Sequence, residues 1–152
     1  MKFFKIKSKA IGLGYPAFVI AEIGLNHNGS PEQCAKLINQ AKLAGADAVK
    51  LQVSDPNESY AKNTDSHKVF KKNSLKPNEI LNLKNYATRK NIIFFFTPGD
   101  FKSLSLVKKF KIPAVKISSG LMTNIPLVTE ASQIGVPIII STGMCFKKEI
   151  NE

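Results

Sequence analysis

The chain has 152 residues, of which 43% are hydrophobic and 22% are charged, and this balance excludes an intrinsically disordered protein. At this length we expect one domain, which can bury a core without disulfides or a structural metal. The formal net charge is +11, so the protein should attract anions.

The basic charge alone does not identify a partner. Arg89 is the only arginine among 22 cationic residues, whereas proteins that read nucleic acids depend on arginine for bidentate contacts. Two interpretations remain open, a solvated lysine-rich surface, which we favour, and a polyanionic partner.

The cysteines and the N-terminal segment indicate the cellular compartment in which we expect the protein. Cys34 and Cys145 form no C-x-x-C pair and have no histidine at zinc-ligand spacing, so we expect a reducing, cytoplasmic location. The first 24 residues contain lysines at four of the first nine positions and Pro16, which argues against a signal peptide. No run of 18 apolar residues predicts a membrane span.

The first repeating unit begins with a short apolar run. Residues 17–23 read AFVIAEI, as expected for a strand that is covered on both faces. Ser30 and Pro31 predict the cap and the first residue of a helix, and Gln33 completes a capping-box pattern. Gly45 predicts the end of this helix.

The same unit then repeats along the chain. Further strands are predicted at four places: residues 46–52, 92–96, 113–118 and 136–141. Helices are predicted over residues 77–90 and from about residue 125 to 134, Asp100 is predicted to cap a helix that runs to about Lys111, and another helix begins near Lys147. A long polar stretch, residues 54–74, precedes the first of these helices. Strands that alternate with helices in this way indicate βαβ units and a parallel sheet.

Two architectures fit this order, a doubly wound open sheet and a (β/α)8 barrel. The loop after the first strand reads GLNHNGSP and lacks the G-x-G-x-x-G pattern of dinucleotide-binding sheets. Polar side chains instead follow the strands at their ends, as in barrel enzymes: Glu22, Lys50, Gln52, Thr97, Lys116, Ser118, Ser119, Ser141 and Thr142. We therefore predict an α/β fold, a partial (β/α)8 TIM-type barrel with about five parallel strands and four helices.

Lys50 and Lys116 lie inside otherwise apolar strands. An unpaired ammonium is costly to desolvate, so each lysine requires a carboxylate partner or a bound anion. The alternatives are that both lysines point outward, or that Glu22 pairs with one of them structurally. If they face inward, they predict a site for a small anion carrying phosphate, carboxylate or both, with three hydroxyls nearby: Thr97, Ser119 and Ser141. Glu22 would then serve a substrate hydroxyl or a proton transfer.

Five sequence blocks follow one another along the chain: FVIAEIGLNHNGS, AKLAGADAVKLQ, FFFTP, KIPAVKISSGLMTNIPL and GVPIIISTGM. In this order and spacing they resemble the N-terminal half of the catalytic domain of the sialic acid synthase family, which includes the N-acetylneuraminate, legionaminate and pseudaminate synthases. The resemblance runs from about Phe18 to Met144. It implies a (β/α)8 barrel that condenses phosphoenolpyruvate with the aldehyde form of an N-acetylated amino-hexose, giving a sialic acid-type sugar and phosphate.

The resemblance also implies roles for individual residues. Glu22 matches an acidic residue that lies beside the sugar substrate, which makes it the expected catalytic residue. The positions that match phosphoenolpyruvate-binding residues are Lys50, Thr97, Lys116, Ser119 and Ser141. The family uses a divalent metal, Mn²⁺ or Mg²⁺, but its two histidine ligands lie on strands after the fifth, so we expect neither a metal site nor the C-terminal antifreeze-like domain within residues 1–152. We expect His27 near the mouth of the site, in a structural or a substrate-facing role, and His67 in solvent.

Two departures from the family pattern leave the function open. Leu121 stands where many synthases have an acidic residue, and Gly99 and Asp100 stand where the family usually reads TPF. One interpretation is a fragment of a synthase or a split synthase, acting as a homo-oligomer or with a missing second half, on phosphoenolpyruvate and an amino-sugar. The other is a non-catalytic anion- or sugar-phosphate-binding or assembly module. Neither predicts a nucleic-acid or membrane partner.

Overall fold

The computed structural model describes residues 3–151. An antiparallel hairpin, β1 (Phe3–Ile6) and β2 (Lys9–Gly12), comes first and has no counterpart in the sequence-based prediction. The side chain of Ile6 is fully buried in the hydrophobic core. The hairpin is therefore packed onto the body of the protein.

Five parallel strands form the main sheet. They are β3 (Ile20–Gly24), β4 (Ala48–Val53), β5 (Ile93–Pro98), β6 (Val115–Ile117) and β7 (Ile138–Ile140). Each strand is hydrogen-bonded to the next one along the chain. A doubly wound sheet reverses its strand order at a switch point, whereas a barrel keeps the order of the sequence. The order therefore decides between the two predicted architectures, and the prediction of a partial TIM-type barrel is confirmed.

Seven α-helices accompany the strands in the described part of the chain. They are α1 (Pro31–Leu43), α2 (Pro56–Ser59), α3 (Asp65–Asn73), α4 (Pro77–Arg89), α5 (Phe101–Lys109), α6 (Ile125–Ser132) and α7 (Lys147–Asn151), with a 3₁₀ turn at Ser119–Leu121. The four predicted crossover helices are α1, α4, α5 and α6, while α2 and α3 occupy the polar stretch. Among residues 3–151, no helix has the length and apolarity needed to cross a membrane.

Local sequence signals explain the helix boundaries. The Ser30 hydroxyl accepts the Gln33 N–H at 3.1 Å and so caps α1, as predicted. Residues in the left-handed region follow three helices, with φ of 85° at Gly45, 54° at Asn91 and 52° at Lys111. In each case the next N–H bonds to a carbonyl five residues back, which satisfies the helix end. Lysine is strained in this conformation because its Cβ crowds the backbone.

The two strands at the centre of the sheet are the most buried. All six residues of β5 are buried, as are five of the six in β4. Phe95 and Phe96 are fully buried among side chains from both strands and from the helices. A shift of one residue in the pairing of β4 with β5 would turn every side chain of the shifted strand to the opposite face of the sheet. The packing of these side chains therefore fixes the register of the two strands. That register sets Lys50 beside Phe95 and Gln52 beside Thr97.

Candidate functional site

Four polar residues on four neighbouring strands form the strand-end cluster: Glu22, Lys50, Thr97 and Lys116. Glu22 pairs in register with Lys50, and Gln52 pairs with Thr97. Residues two apart on a strand share a face of the sheet, so Lys50 lies on the same face as Thr97. The pairing thus brings together side chains that are far apart in the sequence.

Lys50 lies at the centre of this cluster and is only 9% exposed. Its Nζ is 2.7 Å from Thr97 Oγ1 and 2.9 Å from Glu22 Oε2. These two oxygens compensate for the lost hydration of the ammonium. Because Thr97 Oγ1 accepts from Lys50, the hydroxyl proton of Thr97 is free for another acceptor.

Lys116 is half-buried and lies near Lys50. Its Nζ donates to the Ile117 carbonyl at 2.7 Å, and none of the ion pairs among residues 3–151 includes it. Burial lowers the pKa of Lys116, the charge of Lys50 lowers it further, and Glu22 opposes the change. The cluster holds two ammonium groups against one carboxylate, so a bound anion would relieve the excess positive charge.

Ser119 and Ser141 lie at the same edge of the sheet. Ser119 opens the 3₁₀ turn after β6, and Ser141 follows β7. The Ser141 N–H donates at 3.1 Å to the Ile117 carbonyl, which also accepts from Lys116, so Ser141 lies next to this lysine. Within residues 3–151 neither serine hydroxyl is hydrogen-bonded to another protein group. Both hydroxyls are therefore free for a ligand.

Leu121 ends the 3₁₀ turn and is packed against the hydrophobic core. The resemblance to the sialic acid synthases implies an acidic residue at this position in many synthases. This chain carries an apolar side chain there instead.

The two histidines are both buried. His27 is 1% exposed, and its Nδ1 accepts the N–H of Gly29 at 3.1 Å, so it binds its own loop. The prediction that His67 lies in solvent is wrong, because its side chain is 6% exposed and its Nε2 is 3.2 Å from Asn57 Oδ1. The polar stretch folds into α2 and α3, and this bond joins the two helices.

The sequence predicted Asp100 only as a helix cap. Its carboxylate does accept the Ser103 N–H at 2.7 Å, but it also accepts the Asp55 N–H at 2.6 Å and the Ser59 hydroxyl at 3.1 Å. It therefore joins the loop after β4 to the start of α5. The order Ser54-Asp55-Pro56 is a signal that could have revealed α2, since Asp55 caps that helix and Pro56 begins it.

Gly99 is explained by a close approach of the backbone to Ser54. A Cβ on Gly99 would lie 2.5 Å from Ser54 Oγ and 2.8 Å from Ser54 Cβ. A larger residue therefore does not fit here without movement. This contact accounts for the glycine at this position.

The residues present do not make a metal site. Within residues 3–151, no three His, Cys, Asp or Glu side chains are arranged to hold a metal ion. Glu22 supplies the carboxylate of the strand-end cluster, and one of its oxygens is occupied by Lys50. Divalent Mg²⁺ and Mn²⁺ prefer several oxygen ligands, so this donor set does not suit them.

Comparison with known protein families decides the classification. The family model described as NeuB family matches residues 37–152. The chain belongs to the NeuB family. This confirms the resemblance that the five sequence blocks showed.

Individual NeuB-family relatives match along most of this chain. An uncharacterized protein of Methanocaldococcus jannaschii is 40% identical over 152 residues, covering all of this chain and 45% of that protein. The N,N'-diacetyllegionaminic acid synthase of Legionella pneumophila is 32% identical over 156 residues, covering 93% of this chain and 44% of the synthase. The chain therefore spans less than half the length of these curated relatives.

A solved structure matches the fold closely. The N-acetylneuraminic acid (sialic acid) synthetase of Leptospira borgpetersenii, solved in complex with citrate, superimposes with a TM-score of 0.94 at 33% identity. The match covers 98% of this chain and 52% of the synthetase. The strand-end cluster thus lies on a backbone that is shared with a sialic acid synthetase.

Proposed function

We propose that the strand-end cluster binds phosphoenolpyruvate, and that the protein takes part in condensing it with an N-acetylated amino-hexose. The observation that carries the proposal is Lys116, a half-buried ammonium beside Lys50 that has no carboxylate partner among residues 3–151. Residues 1–152 would then be the N-terminal portion of a sialic acid synthase-like barrel, which we propose acts in the cytoplasm.

The relatives support this reaction class. The Legionella relative is a synthase of N,N'-diacetyllegionaminic acid, and the Leptospira relative is a sialic acid synthetase. The Leptospira structure holds citrate, a small carboxylate anion. Phosphoenolpyruvate is likewise a small anion, and it carries one carboxylate and one phosphate. Both groups suit a pair of lysines and several hydroxyls.

Five residues would hold this anion: Lys50, Thr97, Lys116, Ser119 and Ser141. Lys50 and Lys116 attract the phosphate and the carboxylate, and their partial burial strengthens the attraction relative to water. Thr97 can donate its free hydroxyl proton to an oxygen of the ligand. The hydroxyls of Ser119 and Ser141 can donate from the neighbouring strand ends.

Glu22 is suited to the sugar rather than to the anion. Its side chain is 56% exposed, and Oε2 contacts Lys50. The carboxylate can therefore accept a hydrogen bond from a sugar hydroxyl at the open side of the site.

In the condensation, C3 of phosphoenolpyruvate bonds to the aldehyde carbon and the aldehyde oxygen takes up a proton. Water adds at C2, and phosphate leaves as C2 becomes a ketone.

The release of inorganic phosphate tests the reaction. Phosphate should appear only when phosphoenolpyruvate and an N-acetylated amino-hexose are both present, with Mg²⁺ or Mn²⁺ supplied. The Lys116→Ala variant should lose this activity. Lys36→Ala removes an exposed charge on α1 and is the matched control. Binding without phosphate release would fit both the non-catalytic module and a synthase portion whose metal ligands lie on later strands, and failure to bind phosphoenolpyruvate would contradict the proposal.

A further inference from the structure

His27 is a buried group to which the proposed chemistry assigns no role. It lies in the loop between β3 and α1, and its Nδ1 accepts the Gly29 N–H. The Gly24 backbone carbonyl also faces the imidazole ring, and this contact raises the pKa of His27. The Nε2 atom makes no hydrogen bond to any group in residues 3–151. The imidazole therefore lies between the two ends of the loop.

The loop itself depends on glycine at both ends. Gly24 has φ 55° and Gly29 has φ 77°, a region that favours glycine. A Cβ on Gly29 would lie 2.8 Å from the backbone oxygen of Lys72 at the end of α3. The pairing of β3 with β4 also shifts between Glu22 and Gly24, as at a β-bulge. The loop thus has a tightly packed and unusual backbone.

Gly24 lies against the carboxylate of Glu22. A Cβ on Gly24 would stand 3.4 Å from Glu22 Oε1, while Glu22 Oε2 is 2.9 Å from Lys50 Nζ. One carboxylate oxygen of Glu22 therefore lies on the side of Gly24 and the other contacts the Lys50 ammonium. We therefore expect a shift of Gly24 to move Glu22 relative to Lys50.

We propose that neutral His27 is a positioning residue, which holds the loop from Gly24 to Gly29 in the shape that keeps the Glu22 carboxylate on Lys50. The positioning concerns protein groups alone. The effect of His27 on phosphoenolpyruvate affinity, in contrast, rests on the proposed function.

The charge state of His27 is part of this mechanism. Nδ1 can accept the Gly29 N–H only while it carries no proton, so an imidazolium loses this bond. Burial lowers the pKa of His27, which keeps the ring neutral near pH 7. Charged groups surround the loop on several elements: Glu22 lies on β3, Glu32 in the first turn of α1 and Lys50 on β4, while α3 carries Asp65, Lys68, Lys71 and Lys72. Protonation at low pH should therefore release the loop.

Two substitutions separate positioning from bulk packing. His27→Asn keeps an oxygen that can accept the Gly29 N–H, whereas His27→Ala removes the acceptor. We expect His27→Ala to weaken phosphoenolpyruvate binding about tenfold, the scale of one lost hydrogen bond, and His27→Asn to stay within about threefold. His67→Ala, which removes the other buried histidine, is the control and should keep wild-type affinity. Equal affinity in His27→Ala and wild type would overturn the inference.

Nitrogen NMR tests the positioning without any ligand. At pH 7 the spectrum of His27 should show an unprotonated Nδ1, and the Lys50 ammonium signal should shift as His27 protonates. In His27→Asn the Lys50 signal should no longer change over that pH range. A protonated Nδ1 at pH 7, or a Lys50 signal that ignores the titration of His27, would refute the positioning role. If the wild type does not bind phosphoenolpyruvate, the proposed function fails and these spectra still decide the role of His27.

Discussion

Lys50 and Thr97 are joined across the two central strands by a buried hydrogen bond of 2.7 Å between Nζ and Oγ1. Lys50 is 9% exposed and Thr97 is 3% exposed, so water cannot easily replace either partner. Because Thr97 Oγ1 accepts from Lys50, its hydroxyl proton is free for another acceptor. We therefore expect both the stability of the fold and the proposed anion binding to depend on this contact.

Replacing Thr97 by valine should weaken both properties. Valine keeps the shape of threonine but removes the oxygen that accepts from Lys50, leaving a buried ammonium one partner short. We expect urea denaturation to show a free energy of unfolding lower by about 1–3 kcal/mol. Thr97→Ser keeps the oxygen and should recover most of the loss. A valine variant as stable as wild type would show that the bond contributes nothing.

The affinity for phosphoenolpyruvate should fall at alkaline pH because of Lys116. Burial and the charge of Lys50 lower the pKa of Lys116, so its ammonium loses its proton at a lower pH than an ordinary lysine. An anion binds the protonated form, so binding should weaken as pH rises through that lowered pKa. Lys116→Arg stays charged and should keep its affinity over the same range. Parallel pH curves for the two proteins would rule out Lys116 as the titrating group.

Lys111→Gly should stabilise the protein. Lys111 has φ 52° directly after α5, and glycine adopts this conformation without the steric cost of a Cβ. We expect a gain of about 1 kcal/mol in the free energy of unfolding, measured in urea. Asn91→Gly, at the matching position after α4, should gain less because asparagine tolerates the left-handed region. A loss of stability in Lys111→Gly would contradict the strain assigned to this residue.

Asp47 should make the stability of the fold depend on pH. Its Oδ1 is 2.7 Å from Lys9 Nζ, and its Oδ2 accepts the Val19 N–H at 2.8 Å, so it ties the hairpin to the start of β3. The Lys9 hydrogen bond, followed by the Val19 N–H, lowers the pKa of Asp47.

The sign of this dependence follows from the direction of the shift. The stabilisation is fully present above the unfolded pKa of about 3.9 and is lost as pH falls through the lower folded value. Chemical denaturation between pH 2 and pH 6 should show a smaller decline in Asp47→Asn than in wild type. An identical decline in both proteins would assign the acid sensitivity to other carboxyl groups.

The strands and the cluster were predictable because their signals are local. Short apolar runs identified the five parallel strands, and cations inside two of those runs predicted that Lys50 and Lys116 would lie near each other. The ends of parallel strands meet at one edge of a sheet, so the sequence also predicted that Thr97 would join them. These inferences needed no knowledge of distant contacts.

Other features depend on tertiary contacts that the sequence does not display. His67 was expected in solvent because its stretch is polar, but α3 turns it against Asn57. Asp100 was expected to cap one helix, yet its second oxygen reaches the Asp55 backbone from a different strand end. The N-terminal hairpin is rich in lysine, and its burial rests mainly on Ile6.

Calorimetric titration with phosphoenolpyruvate tests the central claim most directly. Wild-type protein and Lys36→Ala should bind at one site with equal affinity, at a salt concentration that screens the diffuse surface charge. Lys116→Ala should bind at least about tenfold more weakly, since one charged partner of the ligand is removed. Equal affinity in all three proteins would contradict an anion site at the ends of these strands.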